Sequence, residues 1–281
     1  MAGRTALVLG GGGVAGIAWE VGVLVGLAEA GADVLGADLL VGTSAGSSVA
    51  AQVAAGLAPD ELYARQTDPA RQNREFIPEG VSLERVWEQF TRFQAEYSDP
   101  GELRRRVGAE ALATETVPEE ERYAVIEGRV PVRAWPERPL LITGVHATTG
   151  EPVVWTKESG VPLVDAVAAS CAVPGIWPPV TIDGARYIDG GMRTIVNADL
   201  AAGSARVLVV APLTDPALDE QVAALREAGA VVDVIVADEA SVAAFGTDPL
   251  SPETRVPSAE AGRAQGRAAA SEVAAHWAAE A

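Results

Sequence analysis

The sequence predicts an α/β fold, one large domain carrying an insertion. Three observations carry that prediction. Short apolar runs such as Thr5–Leu9, Leu39–Val41, Ala205–Ala211 and Val231–Val236 read as buried strands. Small-residue stretches with helical spacing lie between several of them, as βα alternation requires. The chain has 281 residues, 48% of them hydrophobic, enough for one sizeable core.

Composition narrows the function. The formal net charge of −18 opposes binding to nucleic acid and gives no long-range attraction to an anionic lipid surface. An acidic exterior is also an ordinary means of staying soluble. Cys171 is the single cysteine, so an intramolecular disulfide is excluded and a reducing, cytoplasmic setting is expected. His146 and His276 are the two histidines, and they lie far apart. A histidine-rich metal centre or a cysteine-paired zinc site is therefore not expected, and no cofactor is called for. The apolar run Thr5–Gly13 is short and broken by glycine, so it reads as a strand and not a signal peptide. No apolar stretch is long enough for a membrane helix.

The first strand, Thr5–Leu9, runs into Gly10-Gly11-Gly12-Gly13-Val14-Ala15-Gly16, and Ile17–Ala30 follows as a helix ended by Gly31. A glycine-rich loop at a helix N-terminus binds anions, because bare N–H groups converge without side chains in the way. Three readings are open. Gly11-x-Gly13-x-x-Gly16 matches the dinucleotide fingerprint, with Asp33 or Asp38 as a loose ribose acid. The amides of Gly11, Gly12 and Gly13 could instead form an oxyanion hole. The loop could also be a tight turn without a ligand.

The second strand ends in Gly42-Thr43-Ser44-Ala45-Gly46 and a small-residue helix begins. This G-x-S-x-G pattern strains a serine backbone and pushes its hydroxyl out at the top of a sheet. Gly42 and Gly46 are needed because a side chain at either would strike the neighbouring strand or helix. Ser44 is the candidate nucleophile; a plain turn with an accidental serine is the alternative.

From Pro59 to Pro139 the sequence is more charged, more aromatic and less regular. Ser82–Tyr97 reads as an amphipathic helix capped by Ser82, with Leu83, Val86, Trp87, Phe90 and Tyr97 on one face and Phe93 near it. The stripe is read as core in preference to lipid contact. Glu102–Ala113 and Pro118–Glu127 are two more short helices. Residues 59–138 are expected to form a helical cap over the site.

Pro139–Val145 and Pro152–Trp155 form a hairpin with His146 beside its turn. His146 is either the base of a triad or a loop histidine. Pro162–Ala172 is a small-residue helix. Val180–Asp183 and Arg186–Ile188 form a hairpin that delivers Asp189-Gly190-Gly191, an acid with backbone freedom around it or simply a turn. Gln221–Ala228 and Gly262–Ala279 are helices, the last with Arg263 and Arg267 on one side.

Four blocks, in order, resemble those of the patatin-like phospholipases. They are the glycine-rich block Leu7–Leu24, the elbow Gly42–Gly46, the Ala-Ser-containing block Val167–Pro178, and Asp189–Gly191. The resemblance implies a three-layer sandwich with a central, mainly parallel sheet, flanked by helices and carrying the cap. It implies a single domain over residues 1–281. It also implies a Ser-Asp dyad: Ser44 attacks an ester, Asp189 is the base, Gly11 to Gly13 hold the oxyanion, and Gly190 and Gly191 support the acid. Acyl esters of phospholipids, lysophospholipids or acylglycerols are the implied substrates. Val14, Ile17, Ile176, Trp177 and the cap aromatics are candidates for an acyl tunnel. Contact with a membrane or micelle is expected to be peripheral and apolar. Two departures stand out. Ala15 replaces a usual Arg or Lys, and Asn197-Ala198-Asp199 lacks a proline usual two residues past the Asn. A free aspartate is a poor base at neutral pH, so burial is expected to raise the pKa of Asp189. The rivals are a catalytically weak or inactive lipid-binding protein of the same fold and a dinucleotide-binding oxidoreductase.

Overall fold

The computed structural model describes residues 3–76 and 83–277. Strand β1 (Thr5–Leu9) leads into helix α1 (Gly13–Glu29), β2 (Leu39–Gly42) and α2 (Ala45–Ala54). The helices α3 (Pro59–Thr67), α4 (Leu83–Glu96), α5 (Pro100–Ala113) and α6 (Glu119–Arg129) follow. Next come β3 (Leu140–His146), β4 (Pro152–Trp155), α7 (Leu163–Ser170), β5 (Val180–Ile182) and β6 (Ala185–Asp189). The chain continues through β7 (Arg206–Ala211), α8 (Ala217–Glu227), β8 (Val231–Val236), α9 (Glu239–Phe245) and α10 (Arg255–Trp277).

The sheet has the order β5-β6-β3-β2-β1-β7-β8, with β4 also paired to β3. Strands β3, β2, β1, β7 and β8 run parallel, while β4, β5 and β6 are antiparallel additions. The strand period sorts the core into two layers. Leu7, Leu9, Leu40, Leu208 and Val210 point to the face covered by α1, α2, α7 and α10. Ala6, Val8, Leu39, Val41, Val207 and Val209 point the other way, onto Leu218, Val222 and Leu225 of α8. The central parallel strands β1, β2 and β7 are buried on both faces, which explains their apolar runs, while the edge strand β8 is half exposed.

Helices α3 to α6 occupy the stretch expected as a cap, but two of them are built into the core. Leu62 of α3 and Ile126 of α6 are fully buried in the same cluster as Leu7 and Leu9. Helices α4 and α5 form a separate cluster, in which Phe93, Val107 and Ala111 pack on Val145 and Ile188 of the sheet. The expected Ser82 cap lies outside the described residues. Reading the aromatic stripe as core holds for Phe93, which is buried, and fails for Trp87, which is 47% exposed.

Other expectations need correction. Helix α1 starts at Gly13 and not Ile17, so the glycine block is itself the first turn. Helix α9 went unforeseen, and α10 begins at Arg255, well before Gly262. The longer α10 lies against α1 in a glycine seam. A methyl group on Gly22 or Gly26 would overlap the backbone of Ala259 or Arg263, and one on Gly262 or Gly266 that of Trp19 or Val23. Both helices thus carry G-x-x-x-G and touch backbone to backbone, a contact that side chains would prevent. Glu29 at the end of α1 receives Arg263 and Arg267 from α10. These partly exposed pairs add little beside the seam.

In a solvated helix, Gly→Ala stabilises by up to about 1 kcal/mol. Here the sign reverses. Gly26→Ala or Gly262→Ala lowers stability by about 1–3 kcal/mol, read as a lower urea midpoint with an unchanged slope. A raised midpoint in either variant would refute the seam.

Candidate active site

Ser44 sits between β2 and α2 with φ 51° and ψ −114°, a left-handed conformation that costs a non-glycine residue on the order of 1–3 kcal/mol. The surroundings hold it there from several sides. Its N–H donates to Ser170 Oγ at 2.9 Å. Its carbonyl accepts from the Ser47 hydroxyl at 2.6 Å and the Cys171 thiol at 3.2 Å. Burial raises the Cys171 pKa, which keeps that thiol protonated as a donor. The two glycines of the elbow are sterically required. A methyl group on Gly42 would lie 2.6 Å from Ser47 Cα, and one on Gly46 would overlap the Leu9 carbonyl.

The glycine loop is hydrogen-bonded to the elbow. The Gly46 N–H donates to the Gly10 carbonyl at 2.9 Å, and the Thr43 N–H to the Leu9 carbonyl at 3.0 Å. The expected trio of oxyanion amides needs one correction. The Gly11 N–H donates to the Ile195 carbonyl at 2.9 Å, so it is already spent. Gly12 caps α1 and Gly13 opens it, and the first N–H groups of a helix have no partner within it. Gly12 and Gly13 are therefore the donors available to an oxyanion, with the positive end of α1 behind them. A methyl group on Gly12 would lie 2.6 Å from Pro212, and Gly13 has φ +67°, so both positions select glycine.

Asp189 ends β6 and is 3% exposed. Its N–H donates to the Ala172 carbonyl at 3.0 Å, and its Oδ1 accepts from the Gly191 N–H at 2.7 Å. Its Oδ2 is buried with no hydrogen-bond partner among the described residues. Burial pushes its pKa up to about 7, against the opposing pull of the Ser44 hydroxyl, the Gly191 N–H and the Arg122 charge. A side chain on Gly190 would overlap Thr143, so this glycine lets the loop close on β3.

Ser44, Asp189, Gly11, Gly12 and Gly13 line one apolar cleft of about 730 Å³, walled by residues such as Trp87, Phe90, Ile176 and Leu250. A further apolar hollow of about 500 Å³ shares Trp87, Phe90 and Ile176 and reaches Val86, Phe93 and Val107. The aromatic stripe of α4 thus divides between core and cleft. Of the expected tunnel residues, Ile176 lines this cleft, while Val14 and Trp177 line a smaller hollow beside Ser44. Ile17 is buried in the core.

His146 ends β3, just before the hairpin turn. Its Nδ1 accepts from the Thr148 and Thr149 N–H groups, and its ring packs on Tyr187. Asp38 is no ribose acid. It accepts from the N–H and hydroxyl of Thr5, at the opposite end of the strands from the glycine loop. Asp33 accepts from the Leu35 N–H in a local turn.

Several contributing residues were given no role from sequence. Asn197 has φ 57° and donates to Thr43 Oγ1 at 3.0 Å and to the Thr194 carbonyl at 2.7 Å, joining the acid loop to the elbow. Its place after the Asp-Gly-Gly block was the available signal. Pro249 and Leu250 close the cleft from beyond the fourth block, and the Pro249 carbonyl accepts from the Ala15 N–H. Arg122 and Arg129 of α6 line the smaller hollow, and nothing in their sequence setting distinguishes them from surface arginines.

A family model described as patatin-like phospholipase matches residues 7–202. Among solved structures, VipD from Legionella pneumophila aligns over 98% of this chain and 67% of its own, with a TM-score of 0.50 at 14% identity. The type III effector protein ExoU aligns over 97% of this chain and 54% of its own, with a TM-score of 0.41 at 18% identity. Likeness at such identities bears on the fold alone. No curated protein matched.

Folded Asp189 keeps its proton up to about pH 7, whereas an aspartate in an unfolded chain ionises near pH 3.9. The folded state holds the extra proton between those limits. This group's contribution to stability therefore falls as pH rises from about 4 to about 7. Asp189→Asn removes the buried charge, so its unfolding midpoint exceeds that of wild type at about pH 8, and the margin shrinks towards pH 4. A margin independent of pH would contradict the shifted pKa.

Proposed function

The chain belongs to the patatin-like phospholipase family, and from that premise we propose that it is a serine acyl hydrolase cleaving acyl esters of lipids through a Ser44–Asp189 dyad. The observation that carries this reading is the meeting of a strained serine, a buried unpartnered carboxylate oxygen and the first amides of α1 in one apolar cleft.

The chemistry follows from those positions. Ser44 Oγ attacks the ester carbonyl and gives its proton to the Asp189 carboxylate. The carbonyl oxygen takes up the electron pair and is held by the Gly12 and Gly13 N–H groups. Collapse of the tetrahedral intermediate breaks the bond to the alcohol oxygen, which takes the proton back from Asp189. Water then attacks the acyl-enzyme with Asp189 again the base, releasing the fatty acid and restoring the serine. A carboxyl group with a pKa of about 7 is poised for both directions of transfer near neutrality.

The apolar cleft and its extension fit an acyl chain better than a polar substrate. Trp87 and Leu213 line the cleft and are 47% and 36% exposed, which supports docking on a micelle or membrane surface by apolar contact. Among the described residues, no helix is long and apolar enough to cross a membrane. Helix α4 borders the cleft and α5 its extension, and these are the part of residues 59–138 that we assign as a cap.

A fluorophosphonate probe, which traps an activated serine, labels the wild-type chain and leaves Ser44→Ala unlabelled. Asp189→Asn loses about 100- to 10,000-fold in ester turnover, the range for removing a general base. Failure of well-folded wild type to label would favour a lipid-binding protein without catalysis. The acid limb of kcat/KM falls near pH 7 and not near pH 4, because only the ionised Asp189 accepts the serine proton.

A further inference from the structure

Arg122 and Arg129 of α6 line one small hollow together with Ser44 and Cys171. Both belong to a buried cluster with Arg255 and Glu75, in which the arginine side chains are 4–7% exposed and the glutamate 1%. Burial works against ionisation of Glu75, but Arg129 and Arg122 outweigh that and hold its pKa down to about 2. Three cations thus meet one anion, and two positive charges are left over inside the protein. Surplus buried charge is costly unless another group answers it.

The surplus lies at Arg122. Arg129 takes both Glu75 oxygens, at 2.8 and 2.7 Å. Arg255 takes one at 3.0 Å and also donates to the Asn73 carbonyl at 2.8 Å. Arg122 has one long contact of 3.4 Å to Glu75, and its guanidinium lies 3.8 Å from the centre of the Trp177 ring. Burial pulls its pKa down and the like charge of Arg129 adds to that, yet a guanidinium keeps its proton at neutral pH. The end of α7 connects this charge to the acid. The Cys171 thiol donates to the Ser44 carbonyl, and the next carbonyl, of Ala172, accepts from the Asp189 N–H. The titratable groups facing Asp189 are the Ser44 hydroxyl from the elbow, the Cys171 thiol from α7 and Arg122 from α6. Strand β3 opposes it with Gly144, and Arg193 beyond it is paired with Asp199. The serine and the protonated thiol are neutral, so Arg122 is the charged member of that set.

We propose that Arg122 is a positioning residue for the general base, its surplus charge holding the Asp189 carboxylate in the ionised form that accepts the Ser44 proton. The inference rests on Asp189 being the base of the proposed dyad. Burial by itself favours the protonated acid, which has no free electron pair to offer the serine at the moment of attack. A cation in the same low-dielectric interior opposes that without touching substrate. Glu75 then acts as a moderator, because it cancels part of the charge of the cluster. The two partners therefore have opposite effects on Asp189. Loss of the Arg122 charge makes the acid harder to ionise, and loss of the Glu75 charge makes it easier.

Carbon NMR titration of the aspartate carboxyl groups tests this without turnover, with the Asp189 signal identified by its loss in Asp189→Asn. The pH profile of kcat/KM on a soluble ester is recorded beside it. Arg122→Met keeps the length of the side chain and a contact with Trp177, and it leaves Glu75 to Arg129 and Arg255. It is expected to move the Asp189 titration and the acid limb upward by about one pH unit or more. Activity at about pH 6 then falls at least about tenfold further than activity on the alkaline plateau. Arg122→Lys is expected to stay near wild type in both, and Glu75→Gln to move both downward. An unmoved titration in folded Arg122→Met overturns the proposal, as does a loss of activity that is uniform across pH, the mark of a merely structural role. Should Arg122→Met not fold, Glu75→Gln decides: a titration that stays or rises overturns it. Turnover that survives Asp189→Asn is a separate outcome, which removes the base itself while the titration still reports whether Arg122 and Asp189 are coupled.

Discussion

Helix α2 passes so close to strand β1 at Gly46 that a methyl group there would overlap the Leu9 carbonyl oxygen. This approach sets the rest of the site. It lets the Gly46 N–H reach the Gly10 carbonyl and the Thr43 N–H reach Leu9, so the glycine loop and the elbow share one hydrogen-bonded frame. Ser44, fixed between those bonds, has little choice but its left-handed conformation. The helix that ends at Ser170 adds the clamp, because Ser170 and Cys171 bind opposite ends of the Ser44 peptide units while Ala172 accepts from Asp189. Motifs far apart in sequence are thus parts of one backbone network, and strain at the serine is opposed by bonds on every side.

The same region concentrates buried charge. Asp189 keeps its carboxyl group almost fully buried, and Arg122, Arg129 and Arg255 gather around Glu75. The outside of the protein is strongly acidic, with a formal net charge of −18 for the chain. The exterior thus repels anions at long range, while a few arginines sit buried around Glu75. Under the proposed function, a lipid reaching the cleft gains little from distant attraction, and apolar contact at the mouth carries its recognition.

Much of this was legible in the sequence, for physical reasons. Strands buried on both faces announce themselves as apolar runs, which is why β1, β2 and β7 fall where expected; the half-exposed β8 is marked by its β-branched residues instead. Ser44 and Asp189 were legible because glycine must flank them, and glycine is visible in a sequence. The start of α1 was not, since Gly13 is a poor helix former that the tertiary structure holds in helix. The loss of the Gly11 amide depends on the Ile195 carbonyl, a partner that local pattern cannot reveal. The stripe on α4 was legible as apolar, but one periodicity serves both a core and a cleft wall. Arg122 was invisible because burial of a charged side chain is decided by long-range packing.

The glycine seam between α1 and α10 bears on how the protein is made. Synthesis runs from the N-terminus, so the serine, the aspartate and every strand of the sheet leave the ribosome before α10 does. Until residues 255–277 emerge, α1 has one flank bare and the glycine loop at its head lacks its final support. The Pro249–Leu250 wall of the cleft is likewise among the last parts to arrive. A nascent chain therefore carries the elements of its site well before it can hold them in register, and the site matures only when the end of this fold docks back onto its beginning.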